Sequence, residues 1–367
     1  MSDVRELTET LAAIPSHESE REAGDVIEVW LREHTDAAVT RDDAGVDEDR
    51  GGNVIARKGS GEPSLALVGH HDVVPPDGEQ FAADADEYEL AERDGRLYGR
   101  GTADMKGAVA AAMCAFRDAE PPGELVFASF VGEEVGGVGA RHAIEEDFAP
   151  DYAVVGEGST GYSAPETTDV AVAHKGRRGS TVTARGAAAH ASEVDAGENA
   201  IYRATDAVDE LRGMAFPTAT VLGQDLTGSL AVTEIEGGSA WNVIPERCEL
   251  TVDERTVPGE RAAIERVEAI DGVEWTVDQD LPPMACGDPD FADAVLDAAH
   301  TAQDGTPEQV AKPHATDAGW LADAGTECVV CGPAEPGEAH TADESVSIAV
   351  LERCYEIYHT VADSFAG

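Results

Sequence analysis

"ELVFASFVGEE", residues 124–134, is a short, nearly unbroken apolar run that stops at a glycine and two adjacent glutamates. A run of this length rich in aromatic and β-branched residues reads as a strand buried on both faces, which is the signature of a parallel sheet between two helical layers. "SLALVGHHD" (64–72) and "DYAVVGEGS" (151–159) repeat the pattern, and "NVIARKG" (53–59) reads as a further strand. The alanine-rich "GAVAAAMCAF" (107–116) and an amphipathic opening with Val4, Leu7, Leu11 and Ile14 supply helices between them. The alternation predicts an α/β fold, a doubly wound and mostly parallel sheet.

From about residue 170 the pattern changes. A strand in "DVAVAHKGRRGSTVTARG" (169–186) precedes a helix carrying Ile201, Ala204, Val208 and Leu211, then strands in "GSLAVTEIEGGSA" (228–240) and "RCELTVDERTV" (247–257). A second helix with Ala263, Ile264, Val267 and Ile270 leads to the strand "VEWTVDQ" (273–279). This β-α-β-β-α-β order is that of a ferredoxin-like α+β module. After "LPPMACGDPD" (281–290) the α/β pattern resumes, with a strand in "GTECVVCGP" (325–333) and a final helix from about Ser345. The reading is therefore a larger domain in two parts, 1–172 and 282–367, with a module of residues 173–281 inserted.

The chain has 367 residues and a formal net charge of -49, with 74 acidic residues against 25 lysines and arginines. Its 42% hydrophobic content suffices for a core, and the dispersed acidity leaves no basic face for nucleic acid or anionic lipid. Such a surface repels itself in dilute buffer and is screened when ~1 M salt shortens the Debye length to about 3 Å. We expect a halophilic protein of a salt-filled cytoplasm, whose fold weakens at low salt. "MSDVRELTETLAAIPS" lacks the basic start and apolar core of a signal peptide, which also points to the cytoplasm. Six scattered cysteines are too sparse for a disulfide framework, and the C-x-x-C of Cys328 and Cys331 lies within a strand pattern, so structural thiols are expected.

Acidic pairs mean little by themselves here, because chance supplies roughly 15 of them at this composition. Position is more informative. In open α/β sheets ligands bind beyond the carboxyl ends of the strands, and His70, Glu133, Glu134, Glu157 and His340 each follow an apolar strand. Asp72, two residues beyond His70, can accept a ring N–H from it should the other nitrogen hold a metal, whereas His71 points away. Asp104, at the head of the alanine-rich helix, reads alone as an N-cap. "LYGRGTADMKGA" (97–108) does not match a phosphate-binding glycine pattern, since Asp104 stands where the third glycine belongs.

The ordered set "GHHDVVP", "GRGTADMKGA", "GEEVGG", "VGEGS", "GRRGS", "AAAHAS", "NVIPERCELTVDERTVP" and "AHTADES" resembles the di-zinc amidohydrolases that include acetylornithine deacetylase, succinyl-diaminopimelate desuccinylase, aminoacylase and glutamate carboxypeptidase. The resemblance spans nearly the whole chain. It implies two divalent ions, Zn²⁺ or Co²⁺, one on His70, Asp104 and Glu157 and the other on Asp104, Glu134 and His340. It implies Asp72 as orienting residue, Glu133 as general base on the attacking water, and residues 173–281 as a dimerisation module. His190, reaching a partner subunit's site, and Asn242 would stabilise the oxyanion; Arg255, Arg177, Arg178 and Thr316 would contact substrate. Gly158 replaces a frequent proline, and Ala315 a common glycine. The implied reaction cleaves the amide of a small N-acyl amino acid. "GRRGS" and "NVIP" lean toward the desuccinylase, with the deacetylase or a dipeptidase or carboxypeptidase as alternatives, and a non-catalytic metal- or peptide-binding relative as the alternative of another class.

Overall fold

The computed structural model describes residues 3–81 and 87–365, in two compact units. The first comprises Met1–Ala173, Met284–Lys312 and Thr316–Gly367. At the centre of its nine-stranded sheet lie β1 (Ser64–His70), β2 (Glu124–Phe130), β3 (Tyr152–Val155) and β4 (Glu327–Val330), mutually parallel in the order β2-β1-β3-β4. The register sets His70 beside Phe130 and both Val68 and Val330 beside Val155, so the four strands finish at one edge.

The outer strands correct the expectation of a mostly parallel sheet. Val54–Gly59 runs antiparallel to both β2 and Ala38–Arg41, and Val170–His174 runs antiparallel to β4. The sheet is mixed, parallel only where helical crossovers return the chain in the same direction.

Helix α1 (Gly107–Asp118) lies against Asp3–Ala13 and Ile348–Ser364, with every residue from Gly107 to Phe116 buried. Small side chains let it lie close to its neighbours on all sides. Phe127 of β2, fully buried with its ring 6.2 Å from Phe116, contributes about 2–3 kcal/mol by leaving water. Two of the chain's 4 lysines serve this interior: Lys58 donates to the Arg117 and Ala119 carbonyls, and the wholly buried Lys106 donates to the Ile14 carbonyl. All six cysteines are free and buried. Burial pushes the Cys114, Cys286 and Cys354 thiols up to about 12, which makes them inert at neutral pH. Among the described residues no helix is long and apolar enough to cross a membrane.

The second unit comprises His174–Pro283 and Pro313–Ala315. Its strands, ordered Ser229–Gly237, Arg247–Thr256, Gly176–Arg185 and Val273–Leu281, are antiparallel throughout. Gly176–Arg185 alternates buried and half-buried residues, as a sheet covered on one face requires. The covering layer is helix Ala200–Arg212, whose Ala204, Ala207 and Leu211 pack on Val182, Leu250 and Val252. The second expected helix is only a 3-10 turn, Ile264–Ala269, which still buries Ile264 and Val267. A hairpin of Thr218–Val221 and Gln224–Thr227, unmarked in the sequence reading, precedes Ser229–Gly237.

Candidate metal centre and active site

The shared edge of β1–β4 collects the candidate residues of the first unit. β1 ends on His70, which is 1% exposed. Past β2, the turn at Gly132, with a left-handed φ of 63°, delivers Glu133 and Glu134. Past β3, Glu157 follows Gly156, where the chain lies so close to Gly332 that a Cβ on Gly332 would sit 2.0 Å from the Gly156 carbonyl oxygen. His340 follows β4 in a loop and also has a left-handed backbone, φ 63°, a conformation histidine adopts uncommonly and one worth noting near a site.

Asp104 is not an N-cap. It lies in the turn that precedes α1, in extended backbone (φ -127°, ψ 95°), and its two oxygens face different imidazoles. Oδ1 is 3.1 Å from His70 Nε2, and Oδ2 is 3.1 Å from His340 Nε2. Glu157 Oε1 stands 3.3 Å from His70 Nε2, and Glu134 Oε1 stands 2.9 Å from His340 Nε2. Two donor groups thus share Asp104: His70, Asp104 and Glu157, and Asp104, Glu134 and His340, each with its ligand atoms within 4.8 Å of one another. His70, Glu133 and Glu134 meet the same limit, but Glu133 has no ion pair with either imidazole among the described residues.

Asp72 does two jobs. Its Oδ1 lies 3.2 Å from His70 Nδ1, and its two oxygens accept the backbone N–H groups of Glu133 (3.1 Å) and Glu134 (3.0 Å). One buried carboxylate therefore fixes the ring that ends β1 and the turn that follows β2. His71 faces elsewhere, its Nδ1 2.8 Å from Ser129 Oγ.

The electrostatics test whether these residues suit cations. Hydrogen bonds that His340 makes to Asp104 and Glu134 push its imidazole up to about 10, and His70, although burial opposes it, is held well above its usual value by Asp104, Asp72 and Glu157. The pocket draws positive charge onto both Nε2 positions, where a metal ion would take the place of the ring proton. Two imidazoles and three carboxylates, one of them shared, fit a pair of borderline divalent ions. Burial and then the neighbouring acids raise Glu133 well above the ordinary carboxylate range, with His70 opposing; bound cations would offset the repulsion from those acids.

Three residues around the site went unassigned in the sequence. Lys312 Nζ lies 3.4 Å from Glu157 Oε2, the oxygen turned away from His70. Asp317, 3% exposed and with neither oxygen hydrogen-bonded, is pushed up to about 7 by burial. Glu344, inside the quoted "AHTADES", makes a buried ion pair with Arg100. The rarity of lysine was a usable signal for Lys312; nothing local marked the other two.

In the second unit Ala189–His190 pairs with Val243–Ile244, and the Ala191 N–H donates to the Asn242 carbonyl at 2.9 Å, so His190 and Asn242 are neighbours. His190 is exposed, its Nδ1 2.7 Å from Ser192 Oγ. Arg177 and Arg255, opposite each other in register, both donate to Asp253 at 2.8 Å. Burial would raise Asp253, but the two guanidiniums outweigh it and hold the carboxyl below its usual range. Arg178 departs from the expected substrate contact: it is 8% exposed, donates to Glu254 at 2.6 Å and to the Ala262 carbonyl, and covers Trp275. Thr316, expected to contact substrate, is buried, and its hydroxyl caps helix α2 (Asp317–Asp323) by accepting the Ala318 N–H.

The model of peptidase family M20/M25/M40 matches residues 66–364. An acetylornithine deacetylase of Myxococcus xanthus is 34% identical over 349 residues, covering 89% of this chain and 86% of that protein. A succinyl-diaminopimelate desuccinylase of Acidiphilium cryptum is 30% identical over 335 residues, 85% of each. In fold, the chain is similar to the aminopeptidase PepT of Bacillus cereus, with a TM-score of 0.77 at 19% identity over 98% of this chain and 96% of that one.

Proposed function

The chain belongs to peptidase family M20/M25/M40, an enzyme family of metal-dependent amide hydrolases, and from that premise we propose that it releases the amine of a small N-succinyl diamino acid, as a succinyl-diaminopimelate desuccinylase does. The observation that carries the reading is Asp104, one carboxylate facing two imidazoles, with Glu133 beside His70 and in no ion pair among the described residues. His70, Asp104 and Glu157 would hold one ion and Asp104, Glu134 and His340 the other, with Zn²⁺ as the proposed metal and Co²⁺ as a substitute. Bound there, the ions would supply Lewis-acid polarisation of the amide carbonyl and a water acidic enough to ionise near neutral pH.

The protein's own groups do the rest. Glu133 takes the proton of the attacking water and returns it to the leaving amine. Asp72 keeps the His70 ring in place and holds the Glu133 turn beside it. His190, supplied by a second copy of the chain, and Asn242 donate to the oxyanion. Arg255 and Arg177 exchange Asp253 for a substrate carboxylate, which suits a dicarboxylic substrate. The edge strand Ser229–Gly237, with Ile235 58% exposed and nearby Trp241 96% exposed, supports pairing of two copies through the second unit. A cytoplasmic site of action in high salt is part of the same reading, resting on the charge of -49.

Acetylornithine deacetylase is the second reading, favoured by the 34% identity to the Myxococcus xanthus protein. A panel of N-succinyl-diaminopimelate, N-acetylornithine and dipeptides, assayed in molar KCl with Zn²⁺ or Co²⁺ by amine release, tests both. We expect the succinylated substrate to give the highest kcat/KM. A preference for the acetylated one replaces the first reading by the second, and no hydrolysis of any rejects both.

A further inference from the structure

Asp104 carries the centre, yet its backbone is non-helical (φ -127°, ψ 95°) at a kink within the short helical segment Thr102–Lys106. Its support comes from a residue far away in sequence. Glu344 Oε1 accepts the backbone N–H groups of Ala103 (3.1 Å) and Asp104 (3.2 Å), and Oε2 accepts from Arg100 Nη1 at 2.5 Å. The Glu344 carbonyl accepts the Gly99 N–H at 3.0 Å, and its own N–H donates to the Thr341 carbonyl at 3.3 Å. Thr341 adjoins His340, and Gln80 Nε2 donates to the Thr341 and Ala342 carbonyls, both at 3.1 Å. The Arg100 and Glu344 side chains are 2% and 1% exposed. One buried glutamate therefore joins the turn bearing Asp104 to the loop bearing His340.

We propose that Glu344 is a positioning residue that preassembles the second cation site, the one shared by Asp104, Glu134 and His340; this rests on the functional reading above. Arg96–Tyr98 and Ser345–Ser347 pair antiparallel next to the two loops, but Asp104 and His340 lie beyond that pairing, and an Asp104 displaced by an ångström would leave one of its two partners. Arg100 occupies Oε2, which leaves Oε1 to the two backbone N–H groups of the Asp104 turn. Neither residue touches the reacting atoms.

The test is calorimetric titration of the chelator-stripped full chain with Zn²⁺ in molar KCl, with hydrolysis measured in parallel. In Glu344→Gln a single oxygen must serve both Arg100 and the two backbone N–H groups. We expect the first equivalent to bind as in wild type and the second about tenfold or more weakly. Adding Arg100→Met frees that oxygen for the backbone, and we expect the double variant to recover second-site affinity to within about threefold of wild type. A merely structural pair predicts the opposite, since a second buried substitution would add to the damage. Unchanged two-site binding in Glu344→Gln overturns the proposal while leaving the function intact, as does a double variant no better than the single one. Loss of native circular dichroism in both variants assigns Glu344 to folding and overturns it too. A wild type that binds no Zn²⁺ and hydrolyses nothing overturns the functional reading itself.

Discussion

The edge of β1–β4 and the sheet of the second unit are both rich in charged side chains, but they use charge differently. At the strand edge, carboxylates face imidazoles or backbone N–H groups, and Asp72 and Asp104 each serve two elements. In the second unit Arg177 and Arg255 share Asp253, and His190 stands exposed. The first arrangement is preorganised for cations by a single folded unit. In the second, the guanidiniums are already occupied by a carboxylate of the same unit and the imidazole lies at a surface. Under the proposed function a substrate would have to displace the one and meet the other. Bond-breaking chemistry and substrate choice would then be separable by mutation.

The largest expected effect probes the strand edge. Glu133→Gln should lower kcat by about 10²–10⁴ while bound zinc, measured by elemental analysis, stays at the wild-type level. Loss of zinc in step with activity would instead make Glu133 a ligand, and the division between the two adjacent glutamates would collapse. His190→Ala should reduce kcat by roughly 10²–10³ with zinc unchanged, which steady-state kinetics can report. An unaltered kcat would confine all of the chemistry to the first unit. Arg255→Met should raise KM for a succinylated substrate by about tenfold and alter kcat little. A fall in kcat alone would break the proposed separation from the other side.

The smallest effect concerns stability beneath the strand edge. Burial lowers the His71 pKa from 6.5 to about 3, so between those values the unfolded chain binds a proton that the folded chain refuses. Stability from this group is complete above pH 6.5 and is lost as pH falls, by at most about 1.4 kcal/mol per unit. Urea midpoints in molar KCl, compared between wild type and His71→Asn from pH 7 to 4, should show the shallower slope in the variant. Parallel slopes would mean that the ring is not held neutral.

The strand edge was legible because a doubly buried strand writes itself as an apolar run, and the residue that ends the run is its carboxyl tip. His70, Glu133, Glu134 and Glu157 could be placed that way. The direction of the outer strands could not, because Val54–Gly59 pairs with β2, about 70 residues onward in the chain, and only tertiary contact sets that pairing. The N-cap reading of Asp104 failed because it judged the residue by the helix that follows, whereas its backbone partner is Glu344. Arg178 shares the difficulty: its partner Glu254, on a different strand, occupies the guanidinium, and nothing near Arg178 in the sequence announces that pairing.

The distribution of lysine has a practical corollary. Lys58, Lys106 and Lys312 donate to carbonyls or to Glu157 within the first unit, which leaves the half-buried Lys175 of the second unit as the ε-amine with no hydrogen bond or ion pair among the described residues. An amine-directed fluorophore would therefore have one favoured side-chain address, a convenient handle for following the second unit without disturbing the residues that gather at the strand edge.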